Sequence, residues 1–202
     1  MTTISEPFPL IGTRDYVHST TLLTFLDRFQ PPGLPPAPID LRLRQKLRPG
    51  GQVFIDEGVR ADAAATARVG DRSFYFVNTE TPVSASHQPD RFGDFLPNIS
   101  HAAGRTEMRP PVVSDGSVSD AEVWLRLILA AKRHMMWHYF PASHGQGAAN
   151  YLLTRINCRK PHPQDALAIT TDVVVGDNWS RLCVTSNGVL GHVWCRLGIG
   201  AE

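Results

Sequence analysis

Hydrophobic residues recur at helical spacing in SVSDAEVWLRLILAAKRHMMWHYFP, residues 117–141. One stripe at this spacing contains Val123, Leu127, Ala131 and Met135. Ser119 and Glu122 have the spacing of a capping box, and Pro141 marks the end of the pattern. The pattern predicts one long helix. Its apolar arc is too wide for a surface helix, so a sheet is expected to cover much of it.

Three β-rich runs follow in ALAITTDVVVGDNWSRLCVTSNGVLGHVWCRLGIGA, separated by GDN and SNG, and YLLTRINCRK precedes them as a further strand. They predict an antiparallel meander. A two-residue turn at Asn187 and Gly188 would pair Ser186 with Val189, Val184 with Gly191, Cys183 with His192 and Leu182 with Val193. The outward face would then carry Arg181, His192, Trp194 and Arg196, where a guanidinium can stack on an indole.

The N-terminal half repeats this order of elements. STTLLTFLDRF predicts a short helix capped by Ser19 or Thr20, and IDLRLRQKL, QVFIDEGV and TARVGDRSFYFVNTETPV predict strands. Val-Gly-Asp precedes a β-rich run in both halves. We therefore expect a first half over residues 1–85, a linker and lead-in strand over 86–118, and a second half over 119–202.

The segment IDLRLRQKL alternates leucines with cations. Leu41, Leu43 and Leu47 share one parity, and the other parity carries Arg42, Arg44, Lys46 and Arg48. A solvated strand face whose charges discourage edge pairing explains this pattern. A surface that binds a phosphate-bearing or acidic partner explains it as well.

Composition limits the function classes. Twenty Lys and Arg against nineteen Asp and Glu give a formal net charge of +1, which argues against a general nucleic-acid binder. The N-terminus lacks a basic segment followed by an apolar run, and Arg126 interrupts the longest apolar stretch. We therefore expect a cytoplasmic protein with no membrane span. Three cysteines without a CxxC spacing favour free thiols.

A central helix wrapped by a curved antiparallel sheet, occurring twice in one chain, resembles the double hot-dog proteins of the acyl-thioester thioesterase and dehydratase superfamily. The resemblance implies an α+β fold of two tandem hot-dog-like units. It also implies a thioesterase-like hydrolase or acyltransferase that takes acyl-CoA or acyl carrier protein, needs no cofactor and is able to form a homo-oligomer. A non-catalytic module that binds a small ligand or a protein, and an α+β domain of unrelated topology, are the alternatives.

In such enzymes an acidic residue or a histidine often stands near the start of the central helix. Here Asp15, Tyr16 and His18 precede the first helix, whose N-terminal N–H groups can polarise a thioester carbonyl. The resemblance implies His18 as general base, Asp15 as a holder of water or of the imidazole, and Tyr16 as a donor to the oxyanion. In the alternative interpretation, His18 caps or packs the helix entry and Tyr16 fills core.

Glu122 is the candidate acid of a dehydratase, and a capping box explains it equally well. The chain lacks the His-x-x-x-x-x-Pro-Gly segment of fatty-acid dehydratases, which ranks dehydration below hydrolysis or transfer. For CoA or an acidic carrier protein, the basic residues Arg42, Arg44, Lys46 and Arg48 would supply the binding surface. His134, His138 and His144 have a metal-like spacing, but a polar helix end explains them better, and no metal is expected.

Overall fold

The computed structural model describes residues 2–5, 7–33, 35–80, 85–110, 118–140, 150–176 and 178–198. Backbone contacts divide the chain into two compact units, Met1–Arg91 and Phe92–Glu202, called unit 1 and unit 2 below. In the part of the chain that the structure describes, no helix is both long and apolar enough to cross a membrane.

The described residues of unit 1 form the helix α1 (Ser19–Asp27) and an antiparallel sheet. In chain order the strands are β1 (Thr2–Ser5), β2 (Leu10–Ile11), β3 (Ile39–Leu43), β4 (Gln52–Ile55), β5 (Ala63–Val69), β6 (Arg72–Val77) and β7 (His87–Gln88). The order across the sheet is β1-β4-β6-β5-β3, while β2 and β7 form a separate parallel pair. The helix buries Leu22, Leu23 and Leu26, and the Phe25 ring meets Phe76 of β6 edge-on at 5.9 Å.

Unit 2 contains a short helix, α2 (Phe92–Phe95), a 3₁₀ turn at Leu96–Asn98 and the long helix α3 (Asp120–Tyr139). Its strands are β8 (Ile99–Ala102), β9 (Arg105–Met108), β10 (Asn150–Cys158), β11 (Leu167–Val175), β12 (Trp179–Ser186) and β13 (Gly188–Gly198). They form an antiparallel arrangement in the order β10-β13-β12-β11-β9-β8. The β8–β9 hairpin lies in the segment expected to be a linker with a lead-in strand.

Helix α3 begins where its sequence predicts. The Ser119 hydroxyl accepts the N–H of Glu122, and Glu122 accepts the N–H of Ser119, so the capping box is complete. Twelve of its residues are buried, Trp124 and Leu127 fully so. An apolar face this wide explains why α3 packs against β9 and β11 of its unit instead of lying on the surface.

Arg126 is fully buried in the middle of that apolar run. Its Nη1 donates to the carbonyl of Pro163 at 2.6 Å and its Nη2 to the carbonyl of Asp165 at 2.7 Å. These charge-assisted hydrogen bonds satisfy two carbonyl groups of the β10–β11 connection and attach that connection to the helix.

The Val-Gly pair of each Val-Gly-Asp sequence stands at the end of a strand that leads into a hairpin turn. Gly70 follows β5 with a φ of 57°, and Gly176 follows β11 with a φ of 59°. Glycine adopts this left-handed conformation without the steric penalty of a side chain, which explains the shared residue. The α+β expectation is thus confirmed in its coarse form, an antiparallel, sheet-dominated chain with few helices, whereas two tandem hot-dog-like units with the expected boundaries stay a prediction.

Candidate functional site

His18 is the N-cap of α1, so Ser19 and Thr20, the residues expected to cap it, are already inside the helix. Its backbone is extended, with φ −76° and ψ 150°. Its Nδ1 accepts the backbone N–H of Thr20 at 3.3 Å and lies 2.9 Å from the Thr20 hydroxyl. The capping interpretation of His18 is therefore correct as geometry, and the imidazole is held at the positive end of the helix dipole.

This cap fixes where the ring carries its proton. A neutral imidazole has one donor and one acceptor nitrogen, and Nδ1 is the acceptor here. The proton of the neutral ring therefore sits on Nε2, which makes Nε2 a hydrogen-bond donor. A general base needs the opposite arrangement.

Asp15 and Tyr16 meet the basic segment at Lys46. The Lys46 Nζ lies 3.7 Å from Asp15 Oδ1 and 4.9 Å from the centre of the Tyr16 ring. The Asp15 side chain is 82% exposed and the Lys46 side chain 69%, so solvent screens this ion pair. A backbone hydrogen bond also joins the two segments, because the N–H of Val17 donates to the carbonyl of Leu47 at 2.8 Å.

The four cations of the basic segment are all exposed, as their parity predicts: Arg42, Arg44, Lys46 and Arg48. Strand β3 nevertheless ends at Leu43, earlier than the alternation indicates. Beyond it, the Asn78 side chain accepts the N–H of Arg48 at 2.7 Å and donates to the carbonyl of Lys46 at 3.1 Å. The Arg42 Nη2 lies 3.3 Å from Asp40 Oδ2. In the described part of the chain, the guanidinium groups of Arg44 and Arg48 have no ion-pair partner.

Glu122 belongs to unit 2, whereas His18 belongs to unit 1. The Glu122 Oε2 accepts hydrogen bonds from both the N–H and the hydroxyl of Ser119, each at 2.9 Å. The structural role of Glu122 is thus the capping box. Its role as the acid of a dehydratase stays a prediction.

A buried polar network in unit 2 was not expected from the sequence. His134 is 1% exposed; its Nδ1 lies 3.0 Å from the Thr106 hydroxyl and its Nε2 lies 2.9 Å from the Thr171 hydroxyl. Thr106 also lies 2.8 Å from His101 Nδ1, and the His101 ring stacks on Trp137 at 4.9 Å. The sequence signal that could have indicated this network is the presence of threonines at inward positions of β9 and β11.

The network is built for a neutral imidazole. Burial, together with the neighbouring His101 and His138, lowers the pKa of His134 to about 4. Burial also lowers the pKa of His101. Such rings are uncharged at neutral pH, and the contacts of His134 hold the end of α3 to β9 and β11.

Two further types of site are a metal centre and a nucleophilic cysteine. Among the described residues, no group of three or more metal-ligating side chains is present, and His144 of the histidine series lies outside those residues. Burial raises the pKa of Cys158 and of Cys195 to about 12. Neither thiol is a nucleophile at neutral pH, because the thiolate is the reactive form.

No protein-family model matches the chain, and no curated protein matches it. Several solved structures do. A tesB protein of Mycobacterium avium subspecies paratuberculosis is 12% identical, with 95% of this chain and 89% of that chain covered and a TM-score of 0.44. An acyl-ACP thioesterase from Bacteroides thetaiotaomicron is 13% identical, with 98% and 96% covered and a TM-score of 0.44.

The dehydratase domain of PpsC from Mycobacterium tuberculosis, in complex with C12:1-CoA, is 14% identical, with 89% of this chain and 82% of that domain covered and a TM-score of 0.46. The expected likeness to thioesterase and dehydratase structures is therefore confirmed. Similarity at this level transfers neither residue roles nor a substrate to this chain.

Proposed function

We propose that this protein hydrolyses or transfers the acyl group of an acyl thioester, carried by CoA or by acyl carrier protein, at the N-terminus of α1. In this proposal, Nε2–H of His18 donates to the thioester carbonyl oxygen and stabilises the negative charge that develops there. The observation that carries the proposal is the bond from the Thr20 N–H to His18 Nδ1, because it makes Nε2 the donor.

The neighbouring residues supply the remaining roles. Asp15 holds the attacking water and accepts its proton as the new C–O bond forms, and Tyr16 is a second donor to the oxyanion. When the C–S bond breaks, the carrier leaves as a thiolate and takes up the proton from Asp15. His18 is thus a donor in this proposal instead of the general base expected from the sequence. The exposure of the Asp15 carboxylate is consistent with contact to water.

The basic segment supports the choice of substrate carrier. Arg44 and Arg48 are exposed, and Lys46 connects the segment to Asp15 and Tyr16. Phosphates of CoA or of a phosphopantetheine arm are suitable anions for such a cluster of cations. An acyl group presented by this carrier would arrive near the start of α1.

The test is turnover of a panel of acyl-CoA and acyl-carrier substrates by wild type, His18→Asn and His18→Ala. Asparagine is a good N-cap, so His18→Asn should keep the stability of α1 but lose the Nε2 donor. We expect kcat to fall about 100-fold or more in both variants, the usual effect of removing one oxyanion donor. We expect only His18→Ala to lose about 1 kcal/mol of stability.

Two outcomes would contradict the proposal. Full activity of His18→Asn would limit His18 to helix capping and place the chemistry elsewhere. If the folded wild-type protein turned over no substrate of the panel, the enzymatic proposal would be wrong and the non-catalytic binding module would take its place.

A further inference from the structure

A pocket of about 350 Å³ opens on the sheet of unit 2, lined by Val173, Val175, Trp179, Ser180, Arg181 and Trp194. The strand register explains why these residues meet. Val173 is directly opposite Arg181, Arg181 is opposite Trp194, and Val175 is opposite Trp179. Directly paired residues share one face of a sheet, so the valines, the indoles and the guanidinium project together.

This is the outer face of the sheet. The residues of opposite parity, Leu182, Val184 and Val193, are fully buried. The Ser180 hydroxyl, on the buried parity, lies 3.1 Å from the Tyr139 hydroxyl at the end of α3. The core of unit 2 therefore lies behind the pocket, and the pocket itself opens away from the core.

Several apolar side chains that line the pocket are exposed to solvent. Val175 is 65% exposed and Trp179 is 36% exposed. The guanidinium of Arg155 lies 4.6 Å from the centre of the Trp194 ring, a cation–π contact that fixes the plane of this indole. Planar groups held in this way favour a flat ligand that stacks.

The strands around the pocket carry more cations than anions. The four strands β10 to β13 contain three arginines, Arg155, Arg181 and Arg196, against one carboxylate, Asp172, while Asp177 of the β11–β12 turn lies outside the described residues. That carboxylate accepts a hydrogen bond from Arg181 at 2.7 Å and lies 3.5 Å from His192 Nε2. Among the described residues of these strands, guanidinium groups outnumber carboxylates, which favours an anion.

We propose that this pocket binds an aromatic carboxylate of one or two fused rings. The valines and indoles take the ring system, and the arginines of the rim take the carboxylate. The volume suits a small ligand of this kind. A second copy of the chain is a poorer occupant, because a symmetric contact would place the same arginines of two copies against each other.

The test is calorimetric titration of 1-naphthoate into the full-length protein, with the neutral 1-naphthalenemethanol as matched ligand. We expect naphthoate to bind at least about tenfold more tightly than the alcohol, since only naphthoate forms charge-assisted hydrogen bonds with the arginines. Val175→Glu should weaken naphthoate binding by about tenfold, because it places a negative charge in the rim at an exposed position. This binding assay requires no turnover and is independent of the proposed enzymatic function.

Val189→Glu is the control variant. Val189 is 64% exposed and Val175 is 65% exposed. Val189 belongs to the same sheet but does not line the pocket. We expect its affinity for naphthoate to equal that of wild type. Absence of binding by wild type, equal affinity for the alcohol, or equal effects of the two glutamates would overturn the proposal. Self-association abolished by Val175→Glu, without naphthoate binding, would assign the face to a second copy and also overturn it.

Discussion

His134 Nε2 lies 2.9 Å from the hydroxyl of Thr171, and the opposite nitrogen of the same ring lies 3.0 Å from the hydroxyl of Thr106. A neutral ring accepts a hydrogen bond from one hydroxyl and donates its N–H to the other, so both contacts are satisfied without a charge. A charged ring would be buried beside two further histidines, His101 and His138, both of which oppose its protonation. Protonation of His134 is therefore linked to unfolding.

The first prediction concerns the pH dependence of stability. The pKa of His134 is lowered to about 4 in the folded state, against an ordinary value of about 6.5 in an unfolded chain. The unfolded state therefore takes up the proton first, so stability is complete above about pH 6.5 and falls as the pH drops to about 4. The loss amounts to about 3 kcal/mol.

His134→Gln removes the titration and should flatten this part of the profile, as measured by urea unfolding at a series of pH values. His162→Gln is the control, because the His162 side chain is 68% exposed. A profile of His134→Gln as steep as that of wild type between pH 4 and pH 6.5 would show that other groups cause the acid sensitivity.

The second prediction concerns the buried guanidinium. Replacing Arg126 with Met removes a charge from the core but leaves the carbonyls of Pro163 and Asp165 without their donors. We expect a loss of about 2–4 kcal/mol in the free energy of unfolding. Arg133→Met, at a less buried position of the same helix, is the comparison and should cost less than about 1 kcal/mol. Equal costs would mean that the two carbonyl bonds contribute little.

The third prediction compares two glycines of β13 with nearly the same backbone, Gly188 with φ 147° and Gly191 with φ 150°. A Cβ on Gly188 would meet no atom within 4 Å, whereas a Cβ on Gly191 would collide with the backbone of Asn157 and Cys158. Gly191→Ala should therefore cost several kcal/mol more than Gly188→Ala in chemical denaturation. Similar costs would show that backbone strain, and not the approach of β10 to β13, requires glycine at position 191.

The fourth prediction concerns the basic segment. Changing both Arg44 and Arg48 to Glu should alter stability by less than about 1 kcal/mol, because both side chains are exposed. At low salt the double variant should bind CoA about tenfold more weakly, and the dependence of its affinity on salt should be flatter. Calorimetry at two salt concentrations measures both effects.

The control for this experiment is the double variant Arg68→Glu and Arg105→Glu, which reverses two exposed charges outside the segment. It should bind CoA as wild type does. An unchanged affinity of the Arg44 and Arg48 variant would identify the segment as a solvated surface without a partner. Equal weakening by both double variants would point to the net charge of the chain.

Local pattern predicts most of the elements but not every boundary. In the last hairpin, the expected pairs of Leu182 with Val193 and of Val184 with Gly191 are confirmed, whereas Ser186 pairs with Gly188 and not with Val189. A bulge between Val184 and Thr185 shifts the register. Alternation of side chains cannot predict a bulge, because one extra residue leaves the pattern on either side intact.

The place of the candidate residues before α1 was predictable from the sequence, but their contacts were not, and their function stays a prediction. The order Asp15, Tyr16, His18 before an apolar helix indicates the helix entrance, and His18 lies there as the cap. The acceptor role of Nδ1 depends on the rotation of one side chain, which residue order does not encode. The network around His134 joins residues 28 and 37 positions apart, a separation that local periodicity cannot detect.

Arg126 has a consequence for the order of folding. Its two bonds reach carbonyl groups 37 and 39 residues further along the chain. Burial of the middle of α3 before those carbonyls arrive would leave a guanidinium without water and without acceptors. The apolar face of the helix and the β10–β11 connection must therefore become ordered in one step that closes a long loop, and native-state hydrogen exchange should report a single opening event for both.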